Sequence, residues 1–289
     1  MGNADVSAAT ERDDRVELIT RVVAFWVALS VFLGFAVLYV FPERTATLWA
    51  WPVKPTTTAM LMGTGYMAGA YFFVRVVSAS RWHRVSLGFI PVTVFASSMM
   101  LATLLHWDRF NHQHIVFHLW LGLYIVTPIL VPAIWLRNRR RDPGPTHAEL
   151  MLPRPVRVGV GALGVAQLLF VIWMFARPDT VIPWWPWKLT PLTARAVASF
   201  YSLTAVIAIA VAVDGRWAAA RIPLQSALVG LGLMLLALPR ARGDIDTANP
   251  LAWSFAVSLL LLVVVVIGLL VFMDARQRRL TSGPPAAAP

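Results

Sequence analysis

Two stretches of the sequence share one pattern: PERTATLWAWPVKPTT at residues 42–57 and PDTVIPWWPWKLTPLT at residues 178–193. Each begins with proline, carries a Trp-x-Trp motif and ends with Pro-x-Thr. Three further matches follow at similar offsets: Ser80-Arg81-Trp82 with Gly215-Arg216-Trp217, Trp120 with Trp253, and arginine-rich ends at 137–141 and 276–279. Such internal self-similarity indicates a tandem duplication of one structural unit.

The composition is that of a membrane protein. Hydrophobic residues make up 58% of the 289 residues and charged residues only 13%, and the mean hydropathy is +0.67. In soluble domains, hydrophobic residues make up roughly 45–50% and charged residues about 25%. Eight apolar runs are each long enough to cross a hydrocarbon core of about 30 Å as a helix. These runs are 21–41, 57–79, 85–106, 115–136, 156–176, 192–213, 222–238 and 252–273.

The sequence therefore predicts an all-α integral membrane protein with eight transmembrane helices. Because each repeat has an even number of spans, the two four-helix repeats should be parallel and related by a pseudo-twofold axis along the membrane normal. The predicted segments are a polar N-terminal tail (1–16), the first repeat (17–136), a basic linker (137–155), the second repeat (156–274) and a disordered C-terminal tail (275–289).

The basic residues predict the orientation. Of the 25 lysines and arginines, 17 fall in one set of alternating polar segments, which includes both ends of the chain and the linker. The positive-inside rule places that set, and so both termini, in the cytoplasm of a plasma-membrane protein. The net charge of +11 is explained by this topology and by anionic lipid headgroups, and no nucleic-acid partner is expected.

The absence of certain residue types limits the kinds of reaction and metal site that the sequence allows. The sequence has no cysteine, which excludes disulfides, thiolate metal sites and iron–sulfur clusters. No ionisable residue falls near the middle of any span, although proton-coupled pumps and intramembrane hydrolases need polar groups at depth. Both classes are therefore disfavoured.

Small residues are concentrated inside the second, fifth and seventh spans. Gly65-x-x-x-Gly69 is a close-packing motif of membrane helices, and Gly230 and Gly232 lie in the seventh span. Tight packing of the bundle is the main interpretation. In the alternative, the glycines make room for a flat ligand.

Histidines cluster between the third and fourth spans, on the predicted outer side. His114 and His118 are four residues apart, the spacing at which two imidazoles on one helix face approach one metal ion. With His106, His112 and Asp108 they form a candidate site for zinc, copper or an imidazole-held haem. A polar ligand pocket and a purely structural cap are the alternatives.

Tryptophans are concentrated toward the outer side. Aromatic belts explain part of this distribution. The excess of tryptophan on the outer side suggests that these rings form the walls of an outward-facing site for a lipid, isoprenoid, quinone or other hydrophobic molecule. The candidate ligand-binding residues are Trp49, Trp51, Trp107, Trp120, Trp185 and Trp187.

Three functions follow from these patterns. The first is a membrane-embedded binding protein or accessory subunit of a membrane protein complex, with an outward-facing site lined by tryptophan and histidine for a hydrophobic ligand or cofactor. The second is a small uncoupled transporter for a neutral or amphipathic solute, with the repeats as rocking halves. The third is a metal- or haem-dependent membrane enzyme that uses the outer histidines.

Overall fold

A computed structural model describes residues 14–142, 144 and 149–281. Residues 1–13 of the predicted N-terminal tail and residues 282–289 of the predicted C-terminal tail lie outside these residues. Eight helices in the described part are long and apolar enough to cross a membrane, which confirms the eight predicted spans. They are α1 (Leu18–Phe35, continued as a π-helical turn over Ala36–Val40), α2 (Thr56–Ser78), α3 (Phe89–Leu105), α4 (Ile115–Arg139), α5 (Arg154–Ala176), α6 (Pro191–Asp214), α7 (Trp217–Ala241) and α8 (Pro250–Thr281).

Local sequence signals set several helix ends. Thr190 caps α6 by accepting a hydrogen bond from the Thr193 amide, and Pro191 fills the first helical position, where its missing N–H costs nothing. Gly215 ends the same helix with a φ of +75°, a conformation that glycine adopts without strain. The last helix runs to Thr281, past the predicted boundary at 274.

The helices pack in matching pairs across the two halves. In the first half α1 packs on α2 and α3 on α4, and in the second half α5 packs on α6 and α7 on α8. Between the halves, α2 packs on α7 and α3 packs on α6. Helices α2 and α6 also touch each other at the centre. The two halves are therefore interlocked, because the third helix of each half packs on the second helix of the other half.

Backbone hydrogen bonds link the same relative positions in each half. The amide of Trp82 donates to the Asp14 carbonyl at 2.7 Å, and the amide of Trp217 donates to the Leu150 carbonyl at 2.9 Å. Both indole side chains are fully buried. At the opposite end, the Asn111 amide donates to Ala50 and the Asp246 amide donates to Pro186.

The connection between α7 and α8 forms hydrogen bonds to the other half of the protein. Asp244, which follows α7, accepts hydrogen bonds from the Thr56 hydroxyl at 2.5 Å and from the Thr57 amide and hydroxyl at 3.0 Å. These groups lie in the first turn of α2, where a carboxylate satisfies free amides and complements the helix dipole. The α7–α8 connection therefore caps the central helix of the other half.

Candidate functional site

The tryptophans of the first Trp-x-Trp motif lie in the interior. Trp49 is 7% and Trp51 is 2% exposed. Their rings pack edge-on against Trp120, with centroids 5.5 Å and 4.9 Å away. Trp120 itself donates from its indole N–H to the Thr103 hydroxyl at 3.1 Å. These three rings fill one end of the bundle and do not line an open pocket.

The second Trp-x-Trp motif is packed in a similar way. Trp187 is 3% exposed, and its indole N–H donates to the Thr58 hydroxyl of α2 at 2.9 Å. Trp185 is partly buried and its ring lies 6.1 Å from that of Tyr201. Of the six candidate tryptophans, only Trp107 is largely exposed, at 39%.

Four of the indole N–H groups are buried without a partner. Within the described part of the chain, no hydrogen-bond acceptor reaches Nε1 of Trp49, Trp51, Trp82 or Trp185. An unpaired buried donor costs about 1–3 kcal/mol. Trp49, Trp51 and Trp185 lie at the end of the bundle that holds both Trp-x-Trp motifs. A water molecule or a ligand oxygen that accepts a hydrogen bond from one of their indole N–H groups would therefore be stabilised there.

The outer histidines separate into local roles. His114 precedes α4, and its Nδ1 accepts a hydrogen bond from the Val116 amide at 3.2 Å. His112 stacks on Phe117, with ring centroids 4.7 Å apart, and its Nε2 contacts the Trp107 carbonyl at 2.9 Å. His118 and Asp108 are exposed.

The structure does not gather these residues around one point. Among the described residues, no group of three or more histidines and carboxylates is close enough to share a metal ion. His114 lies before the helix and not on a face shared with His118, because its imidazole caps the first turn.

His106 has a partner that the sequence did not indicate. Its Nε2 lies 2.7 Å from Nη1 of Arg195 on α6, and Arg195 Nε also donates to the Phe175 carbonyl at 3.0 Å. Because an arginine can only donate, His106 must accept through Nε2 as a neutral imidazole. Burial, together with the positive charges of Arg195 and Arg109, lowers the pKa of His106. Arg195 therefore links α6 to the end of α3.

A cavity lies elsewhere, beside the central helices. It holds about 180 Å³ and is bounded by α2, α6 and α7, with the first turn of α3 and part of α8. Tyr201 is ten residues from the start of α6 and thirteen from its end, so the cavity reaches the middle of the membrane-spanning segments. None of the six candidate tryptophans lines it.

Small side chains create this space. Helix α2 contributes Gly65, Ala68 and Gly69, and α7 contributes Ala227 and Gly230. A Cβ built on Gly230 would lie 3.2 Å from the Ala68 Cβ, whereas one built on Gly69 would meet no atom closer than 3.9 Å. The two helices approach closely at Gly230, whereas Gly69 has room for a Cβ in ordinary contact with Val31. The close helix packing predicted from the glycines is therefore present at Gly230.

The serine and threonine hydroxyls in the cavity wall donate hydrogen bonds to backbone carbonyls of the helices. Thr64 donates to the Leu61 carbonyl at 2.7 Å, Ser226 to the Ala68 carbonyl at 2.6 Å, and Thr204 to the Tyr201 carbonyl at 3.0 Å. Only Tyr201 differs, since no hydrogen bond to its hydroxyl is found among residues 14–142, 144 and 149–281. The cavity is therefore apolar with one free phenol.

No family model, curated protein or solved structure matches this chain. Its fold is that of a polytopic helical membrane protein with eight candidate spans.

Proposed function

We propose that this chain is a membrane-embedded binding protein, acting alone or as an accessory subunit, that holds a hydrophobic ligand in the cavity between α2, α6 and α7. The apolar lining at mid-membrane depth is the observation that carries the proposal. With no charged side chain in the wall, recognition depends on shape and apolar contact, as in most small-molecule pockets.

The size of the cavity limits the part of the ligand that it encloses. A dry cavity of about 150 Å³ lined by apolar side chains holds one benzene molecule, and this cavity holds about 180 Å³. A single ring or a short piece of an acyl or isoprenoid chain therefore fits. The remainder of a longer molecule would extend between the helices into the bilayer.

We further propose that the two halves are repeats related by a pseudo-twofold axis along the membrane normal. The paired helix contacts and the matching hydrogen bonds of Trp82 and Trp217 support this relation. At an offset of 136, Gly65 corresponds to Tyr201, and at an offset of 135, Gly230 corresponds to Phe95.

The two corresponding positions pack differently. Gly230 brings α7 close to Ala68 of α2, whereas the ring of Phe95 lies 4.7 Å from that of Phe200. The two halves share a scaffold and differ in the side chains that pack at this position.

The proposed orientation keeps both termini in the cytoplasm of a plasma-membrane protein. An even number of spans puts both ends on one side, and the arginine distribution selects that side. The outer side then carries both Trp-x-Trp motifs and the histidines.

A transporter with rocking halves is the second function suggested by the duplication. Rocking needs each half to move as a body. Here α3 packs on α6 and α7 packs on α2, and Asp244 caps α2 from the other half. These contacts would all have to break, which favours a binding role.

We expect Gly69→Leu to reduce ligand binding by more than about tenfold, because its side chain would fill the cavity and remove the site as a whole. The space that the backbone leaves at Gly69 admits a Cβ without displacing a neighbour. Binding is measured in proteoliposomes as photolabelling by a fatty acid that carries a diazirine, with the labelled peptides mapped by mass spectrometry.

Gly232→Leu is the matched control. Gly232 is in the middle of α7, and a Cβ built there meets no atom within 4 Å, but it does not line the cavity. It should label like the wild type. Equal labelling of the α2 and α7 peptides in both variants would contradict the proposed function.

A further inference from the structure

The Tyr201 side chain sets the cavity apart from a simple apolar hole. It lines the cavity, and its ring is tilted by 49° against Trp185. Within the described ranges the phenol has no hydrogen-bond partner, and the indole N–H of Trp185 is buried without one. Two donors thus lie in neighbouring rings, and neither has an acceptor.

Other tryptophan and tyrosine side chains of the core do have hydrogen-bond partners. Trp187, whose ring lies 5.3 Å from that of Trp185, donates to Thr58. Two buried tyrosines of the core, Tyr66 and Tyr124, hydrogen-bond each other through their hydroxyls at 2.8 Å. Membrane-embedded polar groups are normally satisfied inside the protein, so an unpaired phenol beside a cavity points to an acceptor on the ligand.

Depth restricts the source of that acceptor. Tyr201 lies near the middle of α6, whereas the ester oxygens of a phospholipid sit at the edge of the hydrocarbon core. A hydrogen-bond acceptor at Tyr201 must therefore be carried by a molecule that dissolves in the hydrocarbon layer itself.

The size of the cavity favours a ring. Its wall combines small residues, Gly69 and Ala227 among them, with bulkier apolar ones such as Phe72 and Leu203. The volume of about 180 Å³ suits one six-membered ring with its substituents, by comparison with about 150 Å³ for benzene.

We propose that the ligand is a lipid-soluble, single-ring quinone, with a ring carbonyl that accepts a hydrogen bond from Tyr201 and a tail that leaves between the helices. This inference rests on the proposed function and names its ligand class. Binding alone is proposed, with no electron transfer.

The test measures the dissociation constant of a benzoquinone with a short alkyl tail for protein in nanodiscs, by calorimetry. An alkylbenzene with the same tail is measured in parallel. Tyr201→Phe keeps the ring and removes only the hydroxyl. It should weaken quinone binding by about fivefold, as expected for the loss of one neutral hydrogen bond, and leave alkylbenzene binding unchanged.

Stability provides a second readout that does not depend on an affinity value. Without ligand, Tyr201→Phe should unfold at the same temperature as the wild type or higher, because the lost hydroxyl had no partner. With saturating quinone, the rise in melting temperature should be smaller in the variant.

The outcomes separate this inference from the function on which it rests. If Gly69→Leu blocks both probes but Tyr201→Phe alters neither, the cavity binds a ligand and the quinone assignment is wrong. If a diacyl lipid binds in a Tyr201-dependent manner and the quinone does not, the assignment is also wrong. If Gly69→Leu changes nothing, the proposed function itself fails.

Discussion

Replacing Arg216 with glutamine should lower the free energy of unfolding by about 3–5 kcal/mol, the cost of breaking a buried ion pair by removing one partner. The Arg216 side chain is 5% exposed and lies between two carboxylates. It donates to both oxygens of Asp142, at 2.7 and 2.8 Å, and to Asp214 at 2.7 Å. Without the guanidinium, two partly buried carboxylates would face each other.

Arg221→Gln is the matched control for this prediction. Arg221 pairs with Asp274 at 2.7 Å on the same side of the protein, but its side chain is 42% exposed. Exposed pairs contribute about 0–1 kcal/mol. Thermal unfolding of both variants in detergent, followed by far-UV circular dichroism, should show the larger shift for Arg216→Gln. Equal shifts would mean that the buried network adds no stability.

The same network predicts a dependence on pH. Burial alone would raise the pKa of Asp142, but hydrogen bonds from Arg216 and the Gly144 amide, together with the Arg216 charge, lower it overall. A carboxyl whose folded pKa is depressed stabilises the fold above its unfolded pKa of about 3.9 and loses that contribution as the pH falls through the folded value. Wild-type stability should therefore fall in this acid range, and Arg216→Gln should show a weaker fall.

Gly65→Leu is expected to lower the free energy of unfolding by about 1–3 kcal/mol, the usual cost of overpacking a core. A Cβ on Gly65 would lie 2.3 Å from Cδ1 and 2.7 Å from Cε1 of Phe200. Phe200 has little room to move, because its ring packs against Tyr66 at 5.1 Å and Phe95 at 4.7 Å. The substitution must displace this cluster or separate α2 from α6.

Gly122→Leu provides the comparison for Gly65→Leu. A Cβ on Gly122, in the middle of α4, meets nothing within 4 Å, so leucine there should leave the melting temperature unchanged. If both leucine variants unfold at the wild-type temperature, the close contact at Gly65 does not contribute to stability.

The interlocked packing gives the proposed site a fixed shape. Each wall of the cavity comes from a helix that is held by the other half: α2 by α7 and by Asp244, and α6 by α3. A ligand that enters such a site is bound by preformed surfaces, so less ordering entropy opposes binding.

Some features could be predicted from local sequence alone. The eight spans follow from runs of apolar residues of membrane-crossing length, which is a property of each segment by itself. The end of α6 at Gly215 and its start at Pro191 follow from the conformational preferences of single residues. The packing role of Gly65 was also visible, because a small residue at a helix interface is a local signal.

Other features depend on which segments meet in space. The Trp-x-Trp motifs were expected at the surface of an outer site, yet Trp49, Trp51 and Trp187 are buried. The interfacial preference of tryptophan does not reveal whether neighbouring helices cover it. Arg195 reaches His106, which is 89 positions away in the sequence, and no local pattern indicates this contact.

The sequence by itself determined the membrane class, the number of spans and the pattern shared by residues 42–57 and 178–193, because hydropathy and self-similarity are read along the chain. The tertiary structure alone decided the position of the cavity, the burial of Arg216 between Asp142 and Asp214, and the dispersal of the outer histidines. A cavity forms where packed helices do not fill the space between them, and an ion pair forms only where two charged groups meet. Both depend on contacts between residues far apart in sequence, and no local periodicity encodes them.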